Sequence, residues 1–212
     1  MRTPKFIEMA YIVVIMDSSN ILIAGVGGIG CSWAHQAHQK CLGSAHLALI
    51  DADDSSFKTG DDVHVLRLGH ALDSVGCAAL PPLAEQRMRG LSTITNQLLE
   101  NTELVILLAG LGGGVGTGAA HEFARQARQS GAIVLAVAGL PFESQTTRMD
   151  IALEGLERLE HTAHVTVRLS LDRLARQARE KGQLWQMGAE WIEDLVDGLV
   201  RTLMRICLLY TS

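Results

Sequence analysis

Proline is scarce in this chain, with four in 212 residues, and aromatic side chains make up only 4%. A turn-rich all-β sandwich draws on both, so that class is disfavoured. The four cysteines, Cys31, Cys41, Cys77 and Cys207, include no C-x-x-C pair and outline no disulfide framework. Reduced thiols in a cytoplasmic protein are the simple expectation. Basic blocks are missing too. Eighteen Lys and Arg stand against 23 Asp and Glu, a formal charge of −5, which argues against nucleic acid as a partner. The longest charge-free stretch, 104–120, contains six glycines, so it does not read as a membrane helix and any membrane contact is expected to be indirect. A hydrophobic share of 48% against 19% charged is enough for one buried core.

Arg2 and Lys5 precede an apolar run at 9–16, and Asp17 follows it. Eight residues make a thin signal-peptide core, and no small-x-small cleavage site follows. The run reads either as an extra edge strand or as the product of a start assigned upstream of Met16. We therefore take 1–19 as an N-terminal extension or misassigned start, and 20–212 as the domain.

What the chain has in excess is glycine, 21 residues in clusters. Around the clusters, strands and helices alternate. Apolar runs at 20–25, 46–50, 63–68, 104–109, 132–138 and 164–169 read as strands. Helical patterns occupy about 31–42, 81–100, the stretch after the second glycine cluster to about 130, and the segment whose Met149, Ala152, Leu153, Leu156 and Leu159 are spaced for one apolar face. The tail, 184–209, carries Trp191, Ile192, Leu195, Val196, Leu199, Leu203 and Ile206 at helical spacing, which predicts a long helix buried on several sides with Trp191 in the core. The expected fold is a three-layer, Rossmann-like α/β domain, a mainly parallel sheet with helices on both faces. Right-handed crossovers place every strand-to-helix loop at one edge, where ligands bind.

Both glycine clusters fall at such loops. Gly25-Val26-Gly27-Gly28-Ile29-Gly30 is a G-x-G-x-x-G pattern opening a helix, with Asp51 21 residues beyond its last glycine. Free amides and the positive end of a helix dipole there favour a phosphate, and the missing Cβ atoms let it approach; glycine also serves close helix–strand packing. The second cluster, Gly110-Leu111-Gly112-Gly113-Gly114-Val115-Gly116-Thr117-Gly118, places six glycines in nine residues. That costs more backbone entropy than packing alone needs, and Thr117 adds a hydroxyl. Two such loops in one crevice suggest a ligand with several phosphates. No G-x-x-x-x-G-K-[ST] occurs, which excludes a P-loop NTPase. Valine at Gly113 or Gly116 is expected to abolish ligand binding while the fold survives.

The run 112–118, GGGVGTG, resembles the GGGTGTG signature of the tubulin/FtsZ superfamily, with Val115 in place of a threonine. The resemblance is collinear over about 20–209. Gly25 to Gly30 matches the first phosphate loop, and Gly76, Cys77, Ala78, Ala79, Leu80 and Pro81 match the GAGANP loop at the γ-phosphate. Pro141-Phe142 and Arg148-Met149 match the ribose-contacting PF…RM segment, with Glu143 or Gln145 for the family's glutamate. Ser32 and Leu171 stand where the family reads the nucleobase with asparagines, and Trp185 or Met187 where it stacks an aromatic on the base; fewer amides weaken the guanine preference. The tail matches the helix that ends the nucleotide domain. The chain stops where the catalytic loop N-x-D-x-x-D would begin, and 207–212 contains no carboxylate.

The resemblance thus implies a GTP- or GDP-binding domain, reduced to that domain alone, which assembles with itself or another protein and hydrolyses GTP weakly. A neighbouring subunit completing the GTPase is the second reading. Asp51 and Asp53 stand as indirect Mg²⁺ contacts or as turn caps. A third reading is an adenylating or dinucleotide enzyme, for which Leu49-Ile50-Asp51-Ala52-Asp53 would be the acidic strand end. It lacks an Asn-x-x-Arg pattern in 55–64 and leaves the second glycine loop unexplained. Cys31, His35, His38 and Cys41 recur along one helix, but ten residues span about 15 Å, too far for one zinc site; packing on the sheet is the simpler role.

Overall fold

The computed structural model describes residues 20–41, 43–57, 63–69, 77, 79–177 and 183–210, with side chains to 202. Its framework is six parallel strands in the order β3-β2-β1-β4-β5-β6: β1 (Ile21–Val26), β2 (His46–Asp51), β3 (Val63–Arg67), β4 (Leu104–Gly110), β5 (Ile133–Leu140) and β6 (Val165–Ser170). The central strands are apolar at nearly every position because both faces are covered. From β1, Ile21 and Ile23 point to one layer and Leu22, Ala24 and Val26 to the other.

One layer holds α1 (Gly27–Cys41), α6 (Leu171–Gln177) and α7 (Gln183–Tyr210). The other holds α2 (Pro81–Gly90), α3 (Ser92–Leu99), α4 (Gly114–Gln129) and α5 (Thr146–Thr162). The chain runs outward from β1 to β3 and then returns to β4 at β1's other side. The order therefore reverses between β1 and β4, and the ends of those two strands flank the crevice where such sheets bind ligands.

Four expectations change. First, α1 begins at Gly27 rather than Cys31, so the first glycine cluster forms the helix's opening turn. Second, the helical stretch 81–100 is two helices. After Gly90, Leu91 adopts φ −91° and ψ 8° and its N–H bonds Met88 rather than the residue four back, which breaks the ladder. Third, α6 was not anticipated; its only apolar signal is the pair Leu171 and Leu174, both buried. Fourth, among its described side chains α7 is most deeply buried along one stripe, Ile192, Val196 and Val200 at 0–1% exposure, while Trp191 is 40% exposed. One residue along a helix turns about 100°, which carries Trp191 off the stripe that meets α1.

Candidate functional site

β1 and β4 run side by side with Val26 opposite Ala109, so the two glycine loops leave the sheet next to each other. Gly27, at φ +74°, turns the chain from strand into helix. A methyl group there would lie 3.1 Å from the Gly116 backbone nitrogen. The loops touch, and the N-termini of α1 and α4 converge.

Most of these glycines are required by packing. A methyl group would meet the Leu108 carbonyl oxygen at 2.3 Å from Gly30, the Gly110 carbonyl oxygen at 2.0 Å from Gly116, Ala79 Cα at 2.8 Å from Gly114 and the Pro81 carbonyl oxygen at 2.0 Å from Gly118. Gly110 lies 3.1 Å from Ile29 Cβ by the same measure. Gly112 takes φ +89° and packs on Arg148. The expectation that packing could not account for six glycines is thus corrected, and so is the expectation that the fold tolerates Gly116→Val. Of the second cluster, only Gly113 faces open space. It is the N-cap of α4, and no side chain caps that helix. Gly28 is exposed at the start of α1. Backbone amides at the N-termini of two adjacent helices are groups that can attract an anion.

Around these N-termini stand the other residues singled out from the sequence. Thr117 is buried and its hydroxyl accepts the Gly112 N–H at 2.9 Å, bracing the loop from within. Val115 is half-buried beside it. Asp51, buried at the end of β2, accepts the Ala52 N–H at 2.7 Å through Oδ1. Its Oδ2 and the Ser56 hydroxyl lie within 4 Å of one position beside Gly28. Asp53 instead caps the turn Asp54–Ser56, accepting the Ser55 N–H at 2.9 Å, a bond that holds its carboxyl below the usual value. Beneath the crevice, Cys31 donates its thiol to the Gly25 and Ile50 carbonyls; burial, helped by Asp51, pushes it up to about 12 and keeps it inert.

Ala79 packs against Gly114 of α4 and Cys77 is buried; Ala78 lies outside the described residues. Pro141 is buried, Arg148 Nε donates to the Gly112 carbonyl at 3.4 Å, and the Glu143 N–H donates to Asp172 at 2.9 Å on the rim. Beyond the loops a narrow cavity of about 70 Å³ joins Ile29, Gly139, Pro141, Phe142, Leu171 and Trp185. A wider one of about 530 Å³ opens between α1 and α7, lined among others by Ser32, Trp33, Gln36, Trp185, Gln186 and Glu190. Ser32 and Leu171, collinear with the base-reading positions, border different cavities, and Trp185, 47% exposed, borders both. Gln36, Gln186 and Glu190 were missed from the sequence. Gln36 follows Ser32 at i+4, and that face of α1 could have pointed to it.

The two glycine loops thus adjoin two cavities bordered by Trp33 and Trp185. Residues 20–179 match the model of the Tubulin/FtsZ family, GTPase domain. The chain belongs to the tubulin/FtsZ family. It is 31% identical over 156 residues to cell division protein FtsZ 1 of Archaeoglobus fulgidus, covering 73% of this chain and 42% of that protein. With FtsZ of Aquifex aeolicus it shares 30% over 161 residues, 75% of this chain and 44% of the other. The chain thus spans less than half the length of these relatives. Among solved structures, an empty FtsZ dimer from M. jannaschii superposes with a TM-score of 0.79 at 25% identity, covering 88% of this chain and 55% of that one. CetZ2 from Haloferax volcanii, a GTPγS-bound protofilament, matches at 0.73 and 18% identity, which speaks for the fold alone.

Proposed function

We propose that this chain binds a guanine nucleotide, GTP or GDP, at the junction of the two glycine loops and works as an assembling or regulatory protein. The observation that carries the reading is the meeting of the α1 and α4 N-termini, with Gly28 exposed and Gly113 facing open space. Family membership favours it over the adenylating or dinucleotide alternative, which leaves the second loop without a role. Self-association is supported by a relative described as an FtsZ dimer, and a part in cell division by the FtsZ relatives.

Mg²⁺ fits Asp51 better than Asp53. Asp51 keeps Oδ2 beside the Ser56 hydroxyl, hard oxygen donors suited to a hydrated divalent cation, whereas the Asp53 carboxylate is spent on its cap. A cation held there would supply charge neutralisation at the phosphates. With Asp51 given to the cation, Asp53 to its cap and Asp54 paired to Arg67, none of these three carboxylates is left to orient an attacking water. Intrinsic hydrolysis is therefore slow in this reading. In the second reading, a neighbouring subunit supplies the missing group.

Gly113→Val is the direct test. Gly113 has φ −111° and ψ 176°, ordinary extended backbone, and nothing within 4 Å of a methyl group. The variant should melt like wild type without ligand and lose the GTP-dependent shift, which for wild type at 100 times Kd corresponds to about 2.7 kcal/mol. An undiminished shift in the variant would sink the assignment. Gly116→Val is unsuited to this purpose, because overpacking against the Gly110 carbonyl would itself destabilise the fold by about 1–3 kcal/mol.

A further inference from the structure

The outer faces of α2, α4 and α5 carry arginines above carboxylates. The side chains of Arg89, Arg125 and Arg158 are 60%, 38% and 40% exposed, while those of their partners Glu85 and Glu122 are 14% and 1% exposed. The cations are outermost, so this face shows solvent a positive field although the chain carries a formal −5. Between the last turns of α4 and α5 a cavity of about 290 Å³ is lined by Arg125, Arg128, Gln129, His161 and Thr162, with no carboxylate among them. Arg125 is fixed in place, with Nε and Nη2 on Glu122 and Nη1 donating to Gln129 at 2.7 Å. Arg128 is exposed and makes no ion pair among the described residues. On α5 the exposed Glu154 and Glu157 lie one to two turns before His161 and mark the limit of the positive region. Glu160 is taken by Arg168 at 2.6 and 2.9 Å.

The complementary charge lies on the other side of the sheet. Glu190, Glu193, Asp194 and Asp197 follow one another on α7 at i, i+3, i+4 and i+7, a spacing that sets them along one helix face over about 10 Å. Lys40 pairs with Asp194 at 2.5 Å and Arg201 with Asp197 at 2.7 Å, and Glu190 accepts from Gln186 at 2.8 Å. Glu193 makes no ion pair among the described residues. Carboxylates therefore outnumber cations on this face. Helices α4 and α5 pack on one face of the sheet and α7 on the other. The cavity and the acidic stripe of one molecule thus face away from each other, and they can meet only between two molecules.

We propose that the cavity between the ends of α4 and α5 is a docking site for the acidic face of α7 of a second copy of this chain. Charge complementarity selects that occupant: a cationic cavity without carboxylates on one layer, a row of carboxylates on the other. The inference rests on the assembling part of the reading above and not on its nucleotide. Because the two surfaces differ, the contact is heterologous, each copy giving its α7 face to one neighbour and its cavity to the next. Exposed charges are screened beyond about 10 Å at 0.1 M salt, so the association should weaken steeply as salt rises.

The test is sedimentation velocity on the full chain, with no nucleotide added, as wild type, Arg128→Glu and Glu193→Lys, alongside melting curves. Wild type should form species that grow with protein concentration and dissociate as salt is raised from about 0.05 to about 0.5 M. Each variant alone should associate at least about 10-fold more weakly, because like charges then meet across the contact. Mixed one to one, the variants should recover association that neither shows alone, since the intact α7 face of the first meets the intact cavity of the second. Variants that associate like wild type, a mixture that recovers nothing, or association indifferent to salt would overturn the proposal. A wild-type chain that stays monomeric would overturn it too, and a GTP-dependent melting shift in that same chain would leave the nucleotide reading standing. Should Arg128→Glu fail to fold, His161→Glu places a negative charge in the same cavity from α5.

Discussion

Leu171 is 6% exposed beside Trp185 and Pro141, and Ser32 is exposed on α1. Neither presents the paired carbonyl and NH₂ with which an amide reads a base edge. Each hydrogen bond lost from such recognition costs about 0.5–1.5 kcal/mol, so we expect GTP to be preferred over ATP by less than about 10⁴-fold, roughly 5.5 kcal/mol. Competition binding measures this, and a larger preference would show that other groups, such as Gln36, Gln186 or Glu190, read the base. The residue scale also separates glycines that look alike in sequence. Gly113 and Gly116 both belong to GGGVGTG, yet one faces the crevice and the other a carbonyl oxygen. Periodicity carries no information about that difference, because it depends on what the neighbouring loop brings alongside.

Helices α2, α4 and α5 are joined by a half-buried charge network. Glu85 accepts from Arg158 at 2.6 Å, pairs with Arg89 and lies 3.5 Å from His121 Nε2, which makes no hydrogen bond. Glu122 accepts from Arg125 and from Gln126 at 3.0 Å. Burial, and then the Arg158 charge, hold the His121 pKa below its ordinary 6.5. Burial pushes Glu85 and Glu122 upward, but their hydrogen bonds and the nearby cations outweigh it and leave both below 4.5. For His121 the unfolded chain takes up the proton first, so stability is lost as pH falls below about 6.5; for the glutamates it is present above about 4.5 and lost as pH falls through their folded values. The urea midpoint should therefore drop between about pH 7.5 and 5.5, and drop again toward about pH 4. His121→Gln should remove the first step. An unchanged wild-type midpoint across that first interval would show that the histidine contributes nothing. The elements themselves were largely legible: five of the six strands lie within one residue of their expected ends at both termini, and β5 within two. Buried parallel strands write their burial directly into sequence as short apolar runs. The break at Leu91 and helix α6 were not legible, since each turns on local backbone bonding and a single buried pair.

At the scale of the whole molecule, Asp53 caps a turn, Asp54 pairs with Arg67 and Asp172 holds the Glu143 amide, while Asp51 keeps Oδ2 beside Ser56, the place proposed for a cation. Lacking a group that orients water commonly costs about 10²–10⁴-fold in rate. Phosphate release with GTP and Mg²⁺ should thus remain slow per subunit across a wide protein concentration series. A rate per subunit that climbs steeply with concentration would instead favour the reading in which a neighbour completes the site.

The class of the fold, the order of its elements and the two glycine loops at the ends of adjacent strands are legible in the amino-acid sequence alone. Those features are local: apolar runs of strand length, helical spacing and glycine clusters at strand ends can be read without knowing what packs where. Tertiary structure decided how the pieces are used. It set Trp191 toward solvent, off the stripe of Ile192, Val196 and Val200 along which the described part of α7 is buried. It assigned Gly114, Gly116 and Gly118 to packing and left Gly113 to the crevice. It also brought Arg87 to Leu68 and Cys77, residues 19 and 10 positions away in the chain. Such contacts depend on distances between elements remote in sequence, and those exist only once the sheet has been assembled and both of its faces are covered.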